Sequence, residues 1–364
     1  GKTSITGAVT ANSAISQAIS IAASGDLTAN AGNIGGAVTN AGDLILNGGT
    51  LTKAVTGAGT TSITGAVTAN SAISQTISIS SSGDLTANAG NIGGAVTNAG
   101  DLILTGGTLS KSVSGAGLTT ITGNTTNSAG INQGVKVNSG ITLTNNAALG
   151  SASGSVTNAG TINSSADNIK GTVSNTGSLN LSGGTLSKAV SGSGKTTITG
   201  NTTNSGGINQ GVTVNSGVTL TNNAALGSDS GTITNSGTIN TSASNIKGAV
   251  TNNNTLNLSG GTLSKAVSGS GTTNITGAVT SNSAISQAIN IIAAGDLTIS
   301  AGNIGGAVTN AGDLILTGGT LSKAVSGAGL TTISGNTTNN GGINQAVKVN
   351  SGVTLANNAA LGSA

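Results

Sequence analysis

Aspartate recurs in this sequence in the tripeptide Gly-Asp-Leu, as three pairs with the same spacing between members. Two stacked carboxylates can hold a divalent cation or share a proton. Because a calcium site requires more than two oxygen ligands, we favour pairs of solvated corner carboxylates over metal sites. The six candidates are Asp26, Asp43, Asp84, Asp101, Asp296 and Asp313.

The run Gly-Ser-Gly-Lys-Thr at 192–196 is similar to the end of a phosphate-binding loop. Such a loop requires another glycine five positions before Gly194, where this chain has Ala189. The run is also a variant of a junction that reads Gly-Thr-Thr or Gly-Leu-Thr elsewhere in the chain. We therefore predict no nucleotide site there.

Residue types that the chain lacks exclude most other chemistry. Its 364 residues include no His, Cys, Met, Pro or aromatic residue, every basic residue is Lys, and every acidic residue is Asp. Disulfides, Cys/His metal sites, catalytic triads and aromatic stacking on bases or sugars are therefore impossible. The net charge of +3 is too thinly spread for a nucleic-acid-binding surface. We predict no enzymatic activity, no cofactor and no nucleic-acid partner.

Internal repeats organise the whole chain. A short and a long form of the repeat follow in the order short, short, long, long, short, long, and the last copy is truncated. No apolar run is long enough for a transmembrane helix, so we predict no direct membrane insertion. Without a signal peptide or an initiator Met, we interpret the chain as a segment of a longer protein. The repeats are 1–58, 59–116, 117–193, 194–270, 271–328 and 329–364.

Both repeat lengths are close to multiples of one smaller period, because 58/3 for the short form and 77/4 for the long form are each about 19.3. Val or Ile recurs at steps of about 17–22 residues, as at Ile19, Val38, Val55 and Ile77. Short segments also alternate apolar and polar residues, which is typical of β-strands. We predict an all-β fold: one continuous β-solenoid over 1–364, with about 19 turns and about 17–22 residues per turn.

Polar residues recur at the expected corners between strands. Asn and Gly follow many of the Val anchors, which predicts a left-handed backbone there. Asn158 and Asn175 fall on successive predicted turns, where their amides would stack into a hydrogen-bonded ladder. One Gln closes the first segment of each repeat, and we predict a structural role for it. These residues are Gln17, Gln75, Gln133, Gln210, Gln287 and Gln345.

Two further features, one in the short repeats and one in every complete repeat, predict particular side chains on the outer surface. Alignment with Asn180 predicts that the aliphatic side chains of Ile45, Ile103 and Ile315 point outward. A lysine precedes the last anchor of each complete repeat, which predicts a solubilising stripe along one face. These lysines are Lys53, Lys111, Lys188, Lys265 and Lys323.

The repeats VTNAGTIN, ITNSGTIN and NLSGGTLSKAVSGSG resemble the passenger regions of bacterial autotransporter adhesins and of filamentous-haemagglutinin-like exoproteins. The resemblance covers the whole chain, although those passengers contain aromatic residues and this chain does not. It implies a right-handed β-helix that is exported to the bacterial cell surface and serves in adhesion, aggregation or biofilm formation. The partners would be a host or neighbouring cell surface, or further copies of the chain associated end to end or laterally.

Two other functions remain as alternatives to a surface stalk or fibre. An ice-binding solenoid would present Thr-x-Thr on one flat face of consecutive turns, whereas the Thr-rich segments occur only once per repeat. A carbohydrate-cleaving β-helix enzyme would require acidic or cationic groups that this chain lacks or places only in regular pairs. We therefore predict a structural extracellular solenoid.

Overall fold

The computed structural model describes residues 1–362 and confirms an all-β fold. The chain forms a parallel β-solenoid of about 21 turns, two more than the repeat arithmetic predicts. The described residues group into two compact units, Gly1–Asn180 and Leu181–Ala364. The strand Ser178–Leu181 contains the boundary between the two units, and each unit is described separately below.

Alternation within each strand determines which side chains enter the core. In the neighbouring strands Asp26–Ala29 and Asp43–Leu46, Leu27 stacks on Leu44 and both side chains are fully buried. Thr28 and Ile45, which follow these leucines in their strands, are half-buried and face outward, as predicted for Ile45. Burying one aliphatic side chain contributes roughly 1.5–3 kcal/mol, and each turn obtains this only from its neighbours.

Three parallel ladders form the N-terminal unit, one for each side of the coil. The strands Val113–Ile121 and Ile131–Val137 each turn a corner and contribute to two ladders. Ladder I contains Lys2–Ile5, Ala18–Ile21, Val38–Asn40, Val55–Thr56, single bridges at Ile73 and Ile92, Gly107–Leu109, Thr125–Asn127, Thr142–Asn145 and Thr161–Ser164. Ladder II contains Ala8–Ala11, Asp26–Ala29, Asp43–Leu46, Thr60–Ile63, Thr76–Ile79, Val96–Asn98, the starts of the two corner strands, and bridges at Leu149 and Ile169. Ladder III contains bridges at Ile15 and Ile34, Gly49–Leu51, Ala66–Ala69, Asp84–Ala87, Asp101–Leu104, the ends of the two corner strands, Val156–Asn158 and Val173–Asn175.

The C-terminal unit repeats this arrangement with its own three ladders. The strands Val190–Ile198, Ile208–Val214, Val325–Ile333 and Ile343–Val349 turn corners in the same way. Ladder IV contains the ends of the first two corner strands, Ile233–Asn235, Val250–Asn252, Val267–Ser268, bridges at Ile285 and Ile304, Gly319–Leu321, Thr337–Asn339 and Leu355–Asn357. Ladder V contains Gly184–Leu186, Thr202–Asn204, Thr219–Asn222, Thr238–Thr241, Thr255–Leu258, Thr272–Ile275, Ala288–Ile291, Val308–Asn310 and the starts of the last two corner strands. Ladder VI contains the starts of the first two corner strands, bridges at Leu226 and Ile246, Gly261–Leu263, Ala278–Ser281, Asp296–Ile299, Asp313–Leu316 and the ends of the last two corner strands.

Helical structure within 1–362 is limited to five single 3-10 turns, one in each of the first five repeats. None of the helices found in this range has the length and apolar character needed to cross a bilayer. The five turns are Ala31–Asn33, Ala89–Asn91, Ala166–Asn168, Ala243–Asn245 and Ala301–Asn303.

Register explains why the coil has more turns than predicted. Val55 stacks on Ile73 and not on Ile77, the next anchor that the sequence pattern indicates. Ile77 belongs to ladder II, where it stacks on Thr61. The apparent long step from Val55 to Ile77 is therefore one turn plus a move to the next ladder. True steps within a ladder are shorter, as from Lys2 to Ala18, so more turns fit into the same chain.

Repeats 1, 2, 4 and 5 consequently end one ladder beyond a whole number of turns. In the N-terminal unit, repeats 1, 2 and 3 begin on ladders I, II and III, with Lys2–Ile5, Thr60–Ile63 and the end of Val113–Ile121. In the C-terminal unit, repeats 4, 5 and 6 begin on ladders IV, V and VI in the same order. A feature that occurs once per repeat therefore changes side from one copy to the next.

Candidate functional site

The structure places the two aspartates of each pair directly beside each other in register. Their six side chains are all exposed. Ala8 and Thr60 flank the first pair on ladder II, so the row offers no third carboxylate. Among residues 1–362, no group of three or more Asp side chains is positioned to hold a metal. The register partners are Asp26 with Asp43, Asp84 with Asp101, and Asp296 with Asp313.

We expect these pairs to bind calcium too weakly to stabilise the fold. Millimolar calcium should leave the thermal midpoint of the chain unchanged, because two exposed carboxylates supply too few ligands. Asp43→Asn should leave the midpoint unchanged or raise it slightly, since it removes one like charge. Thermal melts followed by circular dichroism test both points. A calcium-dependent rise in the parent that Asp43→Asn abolishes would contradict this expectation.

The predicted lysine stripe is wrong, because successive repeats begin on different ladders. Lys53 lies between strands of ladders III and I, whereas Lys111 lies between ladders I and II. In the C-terminal unit, Lys265 lies between ladders VI and IV, and Lys323 between IV and V. The outward isoleucines are separated likewise, with Ile45 on ladder II and Ile103 on ladder III.

One ion pair joins the extra loop of the second long repeat to a later turn. Lys265 Nζ donates to Asp229 Oδ1 at 2.5 Å. This hydrogen bond and the positive charge lower the pKa of the Asp229 carboxyl. The contribution to stability is therefore present above the usual carboxyl pKa and is lost as the pH falls through the lowered one. Asp229 is 91% exposed, so solvent screening keeps the contribution small.

The Gly-Ser-Gly-Lys-Thr run lies within the corner strand Val190–Ile198. Lys195 and Thr196 pair in register with Gly211 and Val212 of the next turn. A phosphate-binding loop instead wraps its backbone amides around the ligand at the start of a helix. The run therefore has the strand structure of an ordinary repeat junction and not that of a phosphate-binding loop.

The recurring glutamines lie inside the coil, except for Gln17, which is exposed on the first turn. Gln75 Oε1 accepts hydrogen bonds from Asn40 Nδ2 and Thr61 Oγ1, each at 2.8 Å. In the later repeats, the Gln Nε2 donates to the Oγ1 of a Thr on the preceding turn, at 2.6–2.8 Å. Those pairs are Gln133 with Thr119, Gln210 with Thr196, Gln287 with Thr273, and Gln345 with Thr331.

The corner asparagines are also buried, and they form the expected contact between turns. Asn158 Nδ2 donates to Asn175 Oδ1 at 2.7 Å and to the Ser178 carbonyl at 2.9 Å, while its Oδ1 accepts the Gly160 N–H. The predicted left-handed backbone at Asn is wrong, because every positive φ in 1–362 belongs to Gly. The Asn side chain instead closes the turn by accepting the N–H of the second residue after it.

An outward row of asparagines on ladder V was not predicted from the sequence. Asn240, Asn257, Asn274 and Asn290 occupy the same outward position in four consecutive strands. Each later amide donates to the oxygen of the one before it, at 2.6, 2.7 and 3.1 Å in chain order. All four side chains are half-buried, so the row is both ordered and accessible.

This Asn row lines an open groove of about 680 Å³. Ser242, Ser259 and Thr276, each two residues after an Asn of the row, also line the groove, as does Ile292, whose side chain is 38% exposed. No Lys or Asp is among the lining residues. We call this feature the Asn groove.

The sequence contains a signal for the Asn groove, but only once the register is known. The segments Thr238-Ile-Asn240, Thr255-Leu-Asn257 and Thr272-Thr-Asn274 share a Thr-x-Asn pattern at equal spacing. The pattern crosses the junction between repeats 4 and 5, so comparison of repeats does not align it. The longer period deduced from the repeat lengths also places these asparagines out of line.

Comparison of the chain with protein-family models, with curated proteins and with solved structures finds no match to any of them.

Proposed function

We propose that this chain is a load-bearing segment of a stalk or fibre on the surface of a bacterial cell, where it serves in adhesion or biofilm formation. The observation that carries the proposal is the parallel pairing that runs from turn to turn in both units. It gives each turn hydrogen bonds and apolar contacts to its neighbours, which is how a solenoid resists extension.

The polar interior supports the same role. Buried Asn, Gln and Thr side chains form hydrogen bonds between turns, and Gln345 Oε1 is the one buried side-chain N or O in 1–362 without a partner. Unpaired buried polar groups are costly, so these bonds favour one fixed register over slipped alternatives. The repeat style of bacterial surface exoproteins, VTNAGTIN and its variants, supports the extracellular location. Lateral or end-to-end association of copies belongs to the same proposal.

A chain lengthened by whole repeats tests the stalk. Three extra tandem copies of 59–116 add about ten turns, and we expect particles longer by about 48 Å at about 4.8 Å per turn. Negative-stain electron microscopy of parent and lengthened chains measures this. Particles of unchanged length, or rounded ones, would rule out a stalk.

Labelling intact cells of the source organism tests the location. Antibody raised against the chain should decorate unpermeabilised cells, and fibres should carry the label at regular intervals. Labelling that appears only after lysis would contradict a surface role while leaving the stalk geometry intact.

Ice binding lacks a supporting observation. Thr219 and Thr221 form one Thr-x-Thr pair on ladder V, but the next two strands carry Thr-x-Asn beside a concave groove. Ice binding requires a flat array, so we do not propose it.

A further inference from the structure

We propose that the Asn groove is a binding site for a neutral, extended oligosaccharide. The proposal does not depend on the stalk, because the groove lies wholly within the C-terminal unit. Three observations carry it: the unused hydrogen-bonding capacity of the Asn row, the absence of charge in the lining, and a difference between copies of the repeat.

The Asn row presents donors and acceptors at the spacing of the turns. A primary amide carries two N–H groups and one oxygen with two lone pairs. Within the row, Asn257 and Asn274 each use one N–H and one lone pair on their neighbours. Each of these two amides therefore retains one N–H and one lone pair for a ligand in the groove that they line, repeated about every 4.8 Å along the coil axis.

The chemistry of the lining selects an uncharged ligand rich in hydroxyl groups. The Asn amides share the lining with the hydroxyls of Ser242, Ser259 and Thr276, which donate to backbone carbonyls of neighbouring turns and so offer lone pairs as acceptors to a ligand. With no Lys or Asp in the lining, an anionic or cationic polymer would lose hydration without gaining a counter-charge. The exposed Ile292 offers an apolar surface on which the C–H face of a sugar ring can pack.

The difference between copies points to the same residues. Repeats 2 and 5 are close copies, yet Ser62 and Ser78 of repeat 2 correspond to Asn274 and Asn290 of repeat 5. Both replacements lie on the outward row of ladder V and extend Asn240 and Asn257 of repeat 4 from two rungs to four. In the same copy, Ile292 replaces Ser80 at the end of the groove. The three changes together build one continuous surface.

The test compares the full chain with Asn274→Ser/Asn290→Ser, which restores the residues of repeat 2 and so remains compatible with the fold. The control Ser62→Asn/Ser78→Asn adds two amides at the equivalent places on ladder II. Their register neighbours there are Ile45 and Thr97, so the row of asparagines is only two residues long. Isothermal titration and saturation-transfer NMR use hexasaccharides of β-1,4-linked glucose, of N-acetylglucosamine and of mannose. Hexagalacturonate serves as the acidic probe.

We expect at least one neutral hexasaccharide to bind with a dissociation constant of about 0.1–1 mM, since hydrogen bonds that replace water each contribute little. The Asn274→Ser/Asn290→Ser variant should bind at least about tenfold more weakly, and the control should match the parent.

Four outcomes would overturn the proposal: no neutral probe binds, only hexagalacturonate binds, the groove variant binds as the parent does, or the control variant loses binding as well. If sugar binding is absent and the groove variant instead loses self-association in sedimentation, the groove is a contact between copies. None of these outcomes bears on the length test of the stalk.

Discussion

Gly306→Ala should destabilise the C-terminal unit by about 2–4 kcal/mol, the range in which severe steric substitutions fall. A Cβ on Gly306 would lie 2.1 Å from the carbonyl oxygen of Gln287 and 2.3 Å from its carbon, both in the backbone of the preceding turn. Backbone cannot swing aside as a side chain does, so the two turns must separate. That movement strains the neighbouring ladder bond from Ile289 N–H to the Ala307 carbonyl.

The matched control lies nearby in the same turn. A Cβ on Gly302 meets only Ser300 Oγ, at 4.0 Å, and the corresponding residues of the long repeats are Asp167 and Ser244. Gly302→Ala should therefore be neutral or slightly stabilising.

Urea unfolding measures the loss for both variants. Hydrogen exchange over residues 285–310 then locates it, because a solenoid can open locally. Equal urea midpoints for the two variants would show that the backbones of the two turns do not approach each other this closely at Gly306.

Asn235→Asp should cost about 3–5 kcal/mol at neutral pH, comparable to breaking a buried charge pair. Asn235 is fully buried, and its Nδ2 donates to Asn252 Oδ1 at 2.7 Å and to the Thr255 carbonyl at 2.8 Å. The substitution replaces this donor with an oxygen that faces two acceptors. Burial and these acceptors would hold the pKa of the new carboxyl above its usual range.

The cost should shrink in acid. A raised pKa means that the folded variant binds a proton more tightly than the unfolded one, so its stability relative to the parent rises as the pH falls through that pKa. Urea midpoints of parent and variant between pH 4 and pH 8 measure the difference. Asn253→Asp, at an exposed corner, should change stability by no more than about 0.5 kcal/mol at any pH. A pH-independent loss in Asn235→Asp would refute the assigned hydrogen bonds.

Strand positions and inward residues follow directly from the sequence, because alternation of Val, Ile and Leu with small polar residues has one stable outcome in a stacked coil. Turn length does not. Ile73 and Ile77 are both plausible partners for Val55, and the Ile-Ser-Ile pattern at 77–79 looks more like a strand than the lone Ile73 does. Only the geometry of the corner decides that Ile73 is the partner.

Prediction of the Asn groove depends on the same turn length. If the turn length is overestimated, Asn257 no longer aligns with Asn240, and the lysines are wrongly placed on one face. A structural role for the Gln and Asn residues was easier to predict, because a polar residue that recurs at the same place in the repeats is expected to have a hydrogen-bond partner within the fold. Their partners, such as Thr119 for Gln133, lie on the preceding turn and are not apparent from spacing alone.

The advance of one ladder per repeat has a consequence for how such a gene can change. At four junctions the same contact recurs, a Leu of one repeat stacked on an Ile of the next, whether the partners are short or long. These are Leu46 with Ile63, Leu104 with Ile121, Leu258 with Ile275, and Leu316 with Ile333. Unequal recombination between near-identical copies can therefore add or remove a repeat while keeping the same Leu–Ile contact at the new junction. Within a unit, each such event also moves the following turns by one of the three ladders, so the number of copies determines which side of the coil carries a binding surface as well as its distance along the coil.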